Sequence, residues 1–357
     1  KQLAEIGGSA YVLDLINAVP TAIHAVHYAR LIEHHAVARR LLRGANQIVQ
    51  LVHEERSLND LCNGAVEIVE AAIRRQDQTA ALPLSEVLQR TIAQAQANAQ
   101  ALEEGEAVSI PFGIPELDQA TGGMWPSDVI VIAAPPGAGK SALALNIAHR
   151  AALAGFRGAL FTLEMPVEQI GERVLAPAAN LQALDIRLGK VADWTALEAA
   201  RQRVSTDNLL VDDSAALNAG DLRTRVKRLH LRHSLQFVVV DYVQLMTAGQ
   251  RTENRVQELS FISRQLKTLA KELKIAVVAV AQLNREYGKR QNKKPIMSDL
   301  EGSSQWEKDA SAVVFIYREA LYVPEADARL ATLILAKNRH GPLGEFTVNF
   351  NPRFAQF

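Results

Sequence analysis

The sequence contains a single cysteine, Cys62, among its 357 residues. A disulfide within the chain needs two cysteines and a thiolate zinc site needs several, so both are excluded. Long apolar runs are missing as well, because no run approaches the roughly 18 residues that a membrane-spanning helix requires. These absences predict a protein of a reducing compartment, the cytoplasm, with no membrane among its partners.

The sequence also has no excess of charge of either sign. Its 39 Lys and Arg residues balance 39 Asp and Glu residues, which gives a formal net charge of zero. No overall field attracts a polyanion, so any contact with nucleic acid must depend on local groups. The length allows two domains, and a hydrophobic content of 48% is ordinary for a globular protein.

One stretch, residues 129–141, carries the clearest chemical signal and reads V-I-V-I-A-A-P-P-G-A-G-K-S. Its apolar start predicts a buried strand, and the Ala- and Leu-rich run that ends at Gly155 predicts a helix. A strand, a glycine-rich loop, Lys-Ser and a helix in this order are typical of a P-loop, whose backbone N–H groups bind phosphate. The residues predicted to hold a nucleotide here are Pro136, Gly137, Ala138, Gly139, Lys140, Ser141 and Ala142.

Two positions of this loop have specific predicted roles. Lys140 neutralises the outer phosphates, and the hydroxyl of Ser141 ligates Mg²⁺. The general pattern asks for glycine where Ala134 stands, and a methyl group fits there if the position does not need a positive φ. A chance match is the alternative interpretation, and the strand before the loop and the helix after it argue against that.

The chain changes character near residue 110. Residues 1–82 carry apolar residues at a spacing near 3.6 and predict an all-helical domain, and residues 83–109 predict a linker helix and a connector. Residues 110–357 alternate apolar strands with amphipathic helices, which predicts an α/β domain with a mostly parallel sheet. The predicted strands are 129–134, 158–163, 208–212, 236–241, 275–281, 312–318, 331–337 and 344–350, and we expect the last three to form an antiparallel extension.

Polar residues follow three of the predicted strands. Asp241 is predicted to hold Mg²⁺ together with Ser141. Glu164 is the predicted general base for an attacking water, because all strands of a parallel sheet end at one side, where ligands bind. The alternative for Glu164 is an acid that favours the start of the helix after Pro166. Gln282 is predicted to sense the γ-phosphate without competing for Mg²⁺.

Two groups of cations lie outside this set. The loop after Gln282 is basic and can touch nucleic-acid phosphates, although composition alone favours a solvated loop. Lys337 and Arg339 follow one strand and can point at one phosphate. Because Lys140 already serves the nucleotide of its own chain, this pair suggests an arginine finger for the nucleotide of a neighbour.

With these residues identified, the chain resembles the DnaB-type replicative helicases. The motifs that carry the resemblance occur in family order and are G-I-P-E-L-D (113–118), G-A-G-K-S (137–141), T-L-E-M-P (162–166), V-V-V-D-Y-V-Q-L-M (238–246), A-Q-L-N-R (281–285), S-D-L-E-G-S (298–303), E-K-D-A (307–310), F-I-Y-R (315–318) and K-N-R-H-G-P-L-G (337–344).

The resemblance implies a RecA-like P-loop ATPase core preceded by an all-α domain. It implies a homohexameric ring that uses ATP and Mg²⁺ to move 5′→3′ along single-stranded DNA and to unwind the replication fork. The helical domain would be a collar without its opening helices that meets primase, the linker helix would dock on the next subunit, and a helicase loader would be a further partner. We therefore expect a replisome protein of the bacterial cytoplasm.

The resemblance also bears on individual residues. It supports the roles given to Lys140, Ser141, Glu164, Asp241 and Gln282. It implies that Lys337 and Arg339 act in trans, with Arg339 as the finger.

One family motif departs from its usual form. Members often have Arg-Glu-Ser-Gly where this chain has residues 301–304, so an acid replaces a cation that contacts the DNA backbone. Backbone amides there can still bind phosphate. We expect three loops, 246–255, 285–296 and 299–305, to line a channel for DNA. The residues predicted to contact DNA are Arg251, Arg255, Arg285, Lys289, Arg290, Glu301, Gly302, Ser303 and Ser304.

Two other functions are compatible with parts of the sequence. One is a RecA-like ring or filament ATPase related to recombinases, and the helical collar-like domain argues against it. The other is a scaffold that recruits primase without hydrolysing nucleotide. The intact set of Lys140, Glu164, Asp241 and Gln282 argues against that interpretation.

Overall fold

The structure, a computed structural model, describes residues 25–54, 58–73, 82–215, 217–249, 252, 254–284, 287–288 and 290–357. The chain divides into two compact units, Lys1–Val87 and Leu88–Phe357. The division falls within the predicted linker, residues 83–109. In the described ranges, every helix is too short or too polar to span a bilayer.

The described part of the first unit is helical, as the apolar spacing predicts. It contains α1 (Ala25–Val52) and α2 (Leu58–Ile73). The two helices approach closely at a glycine, since a Cβ built on Gly64 would lie 2.8 Å from Cδ2 of Leu51. Leu51 is itself buried, so the contact between the helices excludes water.

The second unit alternates strands with helices. The helices that follow in the described part of the chain are α3 (Leu84–Glu103), which begins before the unit boundary, α4 (Pro115–Thr121), α5 (Lys140–Leu153), α6 (Val167–Ala179), α7 (Ala183–Arg187), α8 (Trp194–Val204), α9 (Ala219–His233), α10 (Arg255–Leu273) and α11 (Ser303–Asp309). The strands are β1 (Val129–Ala134), β2 (Gly158–Thr162), β3 (Leu209–Asp212), β4 (Phe237–Asp241), β5 (Ala276–Gln282), β6 (Ala312–Tyr317), β7 (Leu330–Asn338) and β8 (Gly344–Asn349).

All eight strands form one sheet in the order β3-β2-β4-β5-β1-β6-β7-β8. The strands from β3 to β6 in that order are parallel, whereas β7 pairs antiparallel with β6 and β8 antiparallel with β7. The predicted α/β class with a mostly parallel sheet is confirmed. The antiparallel extension is the pairing of the last three strands, although β6 itself runs parallel to β1.

Both faces of the sheet are buried, which explains the continuous apolar runs of its strands. Ile130 and Ile132 of β1 belong to the hydrophobic core on one face, and Val129 and Val131 belong to the core on the other. Helices therefore cover both faces of the sheet, and the ends of the strands are the parts left free for binding.

The direction of the strands gives the sheet two different ends. The strands β1, β2, β4, β5 and β6 finish at the same side, here called the carboxyl end. The strand β7 runs the other way, so its last residue, Asn338, pairs with Ala312 at the start of β6. Residues that follow β7 consequently lie at the opposite, amino end.

We predict that Gly158→Ala destabilises the second unit. Gly158 pairs in register with Phe237, and a Cβ at Gly158 would lie 2.2 Å from Cζ of the Phe237 ring. The ring is fully buried and has no free space, so overpacking should cost about 1–3 kcal/mol. The midpoint of urea unfolding measures the loss. Gly171→Ala in α6 is the control, since a Cβ there meets nothing within 4 Å and alanine favours a helix; an equal loss in both variants would contradict the clash.

Candidate nucleotide-binding site

The predicted P-loop joins β1 to α5 at the carboxyl end of the sheet. Gly137 and Gly139 have φ values of 78° and 101°, a region that residues with a side chain rarely adopt. Gly139 is the N-cap of α5 and supplies no side-chain cap, so the first N–H groups of the helix are free to bind an anion. Ala134 is the last residue of β1 and does not have a positive φ, so a methyl group is tolerated in place of glycine.

Lys140 begins α5 and packs against an aromatic ring. The residue is 9% exposed, and its Nζ lies 5.1 Å from the centroid of the Tyr242 ring. An ammonium group is attracted to an aromatic face, so Tyr242 helps to orient Lys140. Sequence analysis missed Tyr242. Its place directly after Asp241 is the signal that could have found it, because that residue must lie at the same end of the sheet.

Asp241 ends β4 and is only 2% exposed. The hydroxyl of Ser141 lies near this carboxylate, in the arrangement that the predicted shared metal site needs. Burial raises the pKa of Asp241 and so does Glu164, while the Ser141 hydroxyl and Lys140 oppose the increase. Its Oδ1 atom is buried and finds no hydrogen-bond partner in the described part of the chain. An unpartnered carboxylate oxygen beside a hydroxyl suits Mg²⁺, which prefers oxygen ligands.

Glu164 lies in the loop between β2 and α6 and is exposed. The hydroxyl of Thr162 closes this loop, donating to the carbonyl of Met165 at 2.9 Å and accepting from its N–H at 3.1 Å. The charge of Glu164 raises the pKa of both Asp241 and Tyr242, so it acts on the same pocket as Lys140. Asp241 and Glu164 are thus brought together beside Lys140 and Ser141 of the P-loop.

Gln282 is the last residue of β5, at the same end of the sheet. Its side chain interacts with the hydroxyl of Tyr242 and opposes the rise in the pKa of that hydroxyl, and Nζ of Lys140 lies 5.1 Å from the centroid of the same ring. The main chain of Gln282 is held separately by the side chain of Gln244. Gln282 therefore lies between the Lys140–Tyr242 pair and the loops that follow β4 and β5.

Arg318 is a further residue at the P-loop that sequence analysis missed. It follows β6 and is 9% exposed, and its Nη1 donates to the carbonyl of Gly137 at 3.5 Å. Its guanidinium carbon lies 3.9 Å from the centroid of the Phe350 ring, and burial lowers its pKa. The F-I-Y-R motif contained the signal, since a cation at the end of a parallel strand must lie near the phosphate loop.

Lys337 and Arg339 do not join this site. Lys337 pairs with Val313 near the start of β6, and the backbone N–H of Arg339 donates to the carbonyl of Ser311 at 2.9 Å. Their side chains donate to the carbonyls of Glu307 and Lys308. Along β1, the distance from Ile130 to Ala134 is about 13 Å, so the two ends of the sheet are at least that far apart. These cations consequently face away from the P-loop of their own chain.

The residues predicted to contact DNA fall into three groups. Arg251, Arg285 and Lys289 lie outside the described residues. Arg255 begins α10 and pairs with Glu258, and Arg290 pairs with Asp299. Glu301 precedes Gly302, which is the N-cap of α11 with φ at 73°, and Ser303 and Ser304 begin that helix. The described arginines of this set therefore already have partners within the chain.

We predict that Asp241→Asn raises the stability of the protein without ligands. Because the pKa of the folded carboxyl lies above its ordinary value of 3.8, the folded state binds more protons than the unfolded state above that pH. The burial cost is therefore present at neutral pH and fades as the pH falls through the raised pKa. The variant should gain about 0.5–2 kcal/mol of unfolding free energy at pH 8, and less at pH 5.

Urea unfolding in metal-free buffer without nucleotide measures this difference. Asp207→Asn is the matched control, because Asp207 is exposed and its substitution should change little at either pH. If the Asn variant were less stable than the wild type at pH 8, the carboxylate would be a structural acceptor and the assignment of its free oxygen to a cation would fail.

Known proteins resemble this chain along its whole length. A family model described as the DnaB-like helicase C terminal domain matches residues 109–357. The chain is 37% identical over 365 residues to the replicative DNA helicase DnaB of Geobacillus stearothermophilus, covering 100% of this chain and 80% of that protein. It is 35% identical over 363 residues to the replicative DNA helicase DnaC of Bacillus subtilis (strain 168), covering 99% of this chain and 79% of that protein.

A solved structure agrees with the sequence relatives. It is described as a DnaB-like replicative helicase and its interactions with primase, and it matches with a TM-score of 0.72 and 26% identity over 100% of this chain and 84% of that chain. The resemblance found in the motifs is confirmed. The chain belongs to the DnaB family of replicative DNA helicases and is an ATP-dependent enzyme of DNA replication.

Proposed function

We propose that the protein is the motor of a replicative helicase, a homohexameric ring that moves 5′→3′ along single-stranded DNA and unwinds the fork in the bacterial cytoplasm. The observation that carries the proposal is the P-loop site with Asp241, Glu164 and Gln282 around it, in a member of this family, while Arg339 lies at the opposite end of the sheet. Each chain thus supplies one half of a nucleotide site at one end of its sheet and the complementary half of a different site at the other end.

The proposed chemistry is hydrolysis of ATP with Mg²⁺. The helix N-terminus and Lys140 bind the phosphates, and Ser141 and Asp241 hold the metal ion, which stabilises the charge on the transferring phosphoryl group. Glu164 accepts a proton from the attacking water, which its exposed position allows. Gln282 hydrogen-bonds the γ-phosphate region and responds when that phosphate is released.

The proposed ring follows from the position of the cations. Lys337 and Arg339 lie about a strand's length from their own P-loop, and head-to-tail contact of identical chains would bring them to the P-loop of the next subunit. Heterologous contacts of this kind close into rings when the rotation between subunits allows it. Lys337 and Arg339 then neutralise charge on a neighbour's nucleotide, with Arg339 as the arginine finger.

The proposed partners beyond DNA are primase and a helicase loader. The similar structure with primase supports the first, and we assign that contact to the helical domain within residues 1–82. The loader is an expectation from the family alone. DNA is proposed to pass the loops 246–255, 285–296 and 299–305.

We predict that the wild type unwinds a fork with a 5′ tail and hydrolyses ATP faster when single-stranded DNA is added. Lys140→Ala should abolish both activities, since the phosphates lose their main cation. Glu164→Gln should lower turnover by about 10²–10⁴-fold while nucleotide binding persists, since only the proton acceptor is removed. Unwinding of a labelled fork and phosphate release measure these activities.

Lys190→Ala is the control for the lysine variant, because Lys190 is exposed and lies outside the site. Strand exchange without unwinding would favour a recombinase-like ATPase. A wild type that lacks DNA-stimulated ATP turnover would favour the scaffold and sink the helicase proposal.

We predict that Arg339→Ala binds nucleotide but loses roughly 10³-fold in turnover, as removal of a finger does. The trans role is tested by mixing it in equal amounts with Lys140→Ala, which is also inactive. In mixed rings, sites that combine an intact P-loop with an intact finger recover, so turnover should return to roughly a quarter of the wild type with random assembly.

Arg232→Ala is the matched arginine control, since Arg232 is exposed on α9 and should not affect turnover. A mixture that stays inactive, although native mass measurements show mixed assemblies, would place both residues in one chain's site. Loss of the assembly itself in Arg339→Ala would indicate a structural role for this arginine.

A further inference from the structure

Gln244 makes an unusual pair of contacts just beyond the end of β4. It lies in a short 3₁₀ turn, Val243–Leu245, and is half-buried. Its Oε1 accepts from the backbone N–H of Gln282 at 3.1 Å, and its Nε2 donates to the Gln282 carbonyl at 3.4 Å. One side-chain amide thus satisfies both backbone groups of the predicted phosphate sensor.

These contacts continue the sheet beyond its last paired residues. The pairing of β4 with β5 ends at Val240 and Ala279. Gln282, three positions further along β5, would present an unpaired N–H and carbonyl on that side. An amide carries one donor and one acceptor in the geometry of a peptide group, so Gln244 replaces the missing strand. The position of Gln282 is therefore fixed through the segment after β4.

That segment is in turn fixed to the start of α10. The carbonyl of Gln244 accepts from Nη2 of Arg255 at 2.6 Å, and the carbonyl of Met246 accepts from Nη1 at 3.3 Å. Arg255 also pairs with Glu258, whose Oε1 accepts from the N–H of Ala248 at 3.0 Å. A shift of Gln244 must consequently move the base of the first predicted DNA loop.

The residues that follow Gln282 in the chain lead into the second predicted DNA loop, residues 285–296. The next residue, Leu283, forms a bridge with Leu300, and the N–H of Asn284 donates to the carbonyl of Asp299 at 2.7 Å. Nδ2 of Asn284 donates to the carbonyl of Ser298 at 2.9 Å. The Gln282 side chain thus interacts with Tyr242 of the nucleotide pocket, and its main chain is bonded to Gln244. The two residues that follow Gln282 are bonded to the base of the second loop.

We propose that Gln244 is a positioning residue that couples the nucleotide site to the DNA loops. It acts through Gln282 and touches neither nucleotide nor DNA. Displacement of the Gln282 side chain by the phosphate state moves the Gln282 main chain, and the Gln244 amide transfers this movement to the segment held by Arg255. The inference rests on the proposed function, because it presupposes that DNA and ATP act on one another.

The coupling is tested with Gln244→Leu, which keeps the size of the side chain and removes both hydrogen bonds. Gln244→Glu is the second variant, because a carboxylate still accepts from the Gln282 N–H but no longer donates to its carbonyl. Gln202→Leu on the exposed side of α8 is the matched control. Each protein is used as the full chain, with adenylyl imidodiphosphate, ADP and an oligothymidylate as probes.

Two ratios report the coupling. The first is ATP turnover with and without the oligonucleotide, and the second is the oligonucleotide affinity with the ATP analogue against that with ADP. Coupling between two sites is typically a 5–150-fold effect and is reciprocal, so both ratios should change together. We expect both ratios to fall to within about twofold of one in Gln244→Leu and to take intermediate values in Gln244→Glu. Turnover without DNA should stay within about threefold of the wild type.

The outcomes separate this inference from the function beneath it. A wild type without DNA stimulation overturns the proposed function and the inference together. A stimulated wild type with equally stimulated Gln244 variants overturns the inference alone. If Gln244→Leu loses basal turnover, nucleotide affinity and thermal midpoint together, and Gln244→Glu keeps full coupling, the residue is structural and the inference also fails.

Discussion

The burial of Asp241 is the constraint on which the site depends. A carboxylate taken out of water without a full set of partners is costly, and here Oδ1 is buried and has no hydrogen-bond partner in the described part of the chain. Lys140 offsets part of that cost, and Glu164 adds to it. A cation bound at this oxygen would relieve the cost, so the fold itself favours the Mg²⁺ that we propose to accompany the nucleotide.

The parallel sheet determines what can share this site. Strands that run together must end together, so the groups that follow β1, β2, β4, β5 and β6 reach one pocket without any help from long loops. The same rule keeps Arg339 out of it, because β7 runs in the opposite direction. A chain built this way has a phosphate-binding end and a cationic end, and the proposed ring is the arrangement in which both are used.

The fold and the core of the site followed from the sequence because they depend on local patterns. Buried strands are continuous apolar runs, so β1 was predicted with its observed limits and the other strands to within one residue at each end. Lys140, Glu164 and Gln282 could be found because each follows such a run. Gln244 was missed because its role arises from a contact across the sheet, whereas Tyr242 and Arg318 were overlooked although each stands at the end of a predicted strand. No spacing in the sequence indicates that an amide at 244 will bond the main chain at 282.

The arginines predicted to bind DNA illustrate the limit of counting charges. Arg255 and Arg290 lie in segments whose composition suggested contact with phosphates, yet each is paired with a carboxylate of its own chain, Glu258 and Asp299. An arginine that is already paired with a carboxylate must give up that partner before it can neutralise a phosphate and release a counterion from the DNA, so it gains less from DNA than a free arginine. For DNA to recruit Arg255, the arginine would have to leave the carbonyls of Gln244 and Met246 as well. The same residue cannot then both bind DNA and hold the segment after β4.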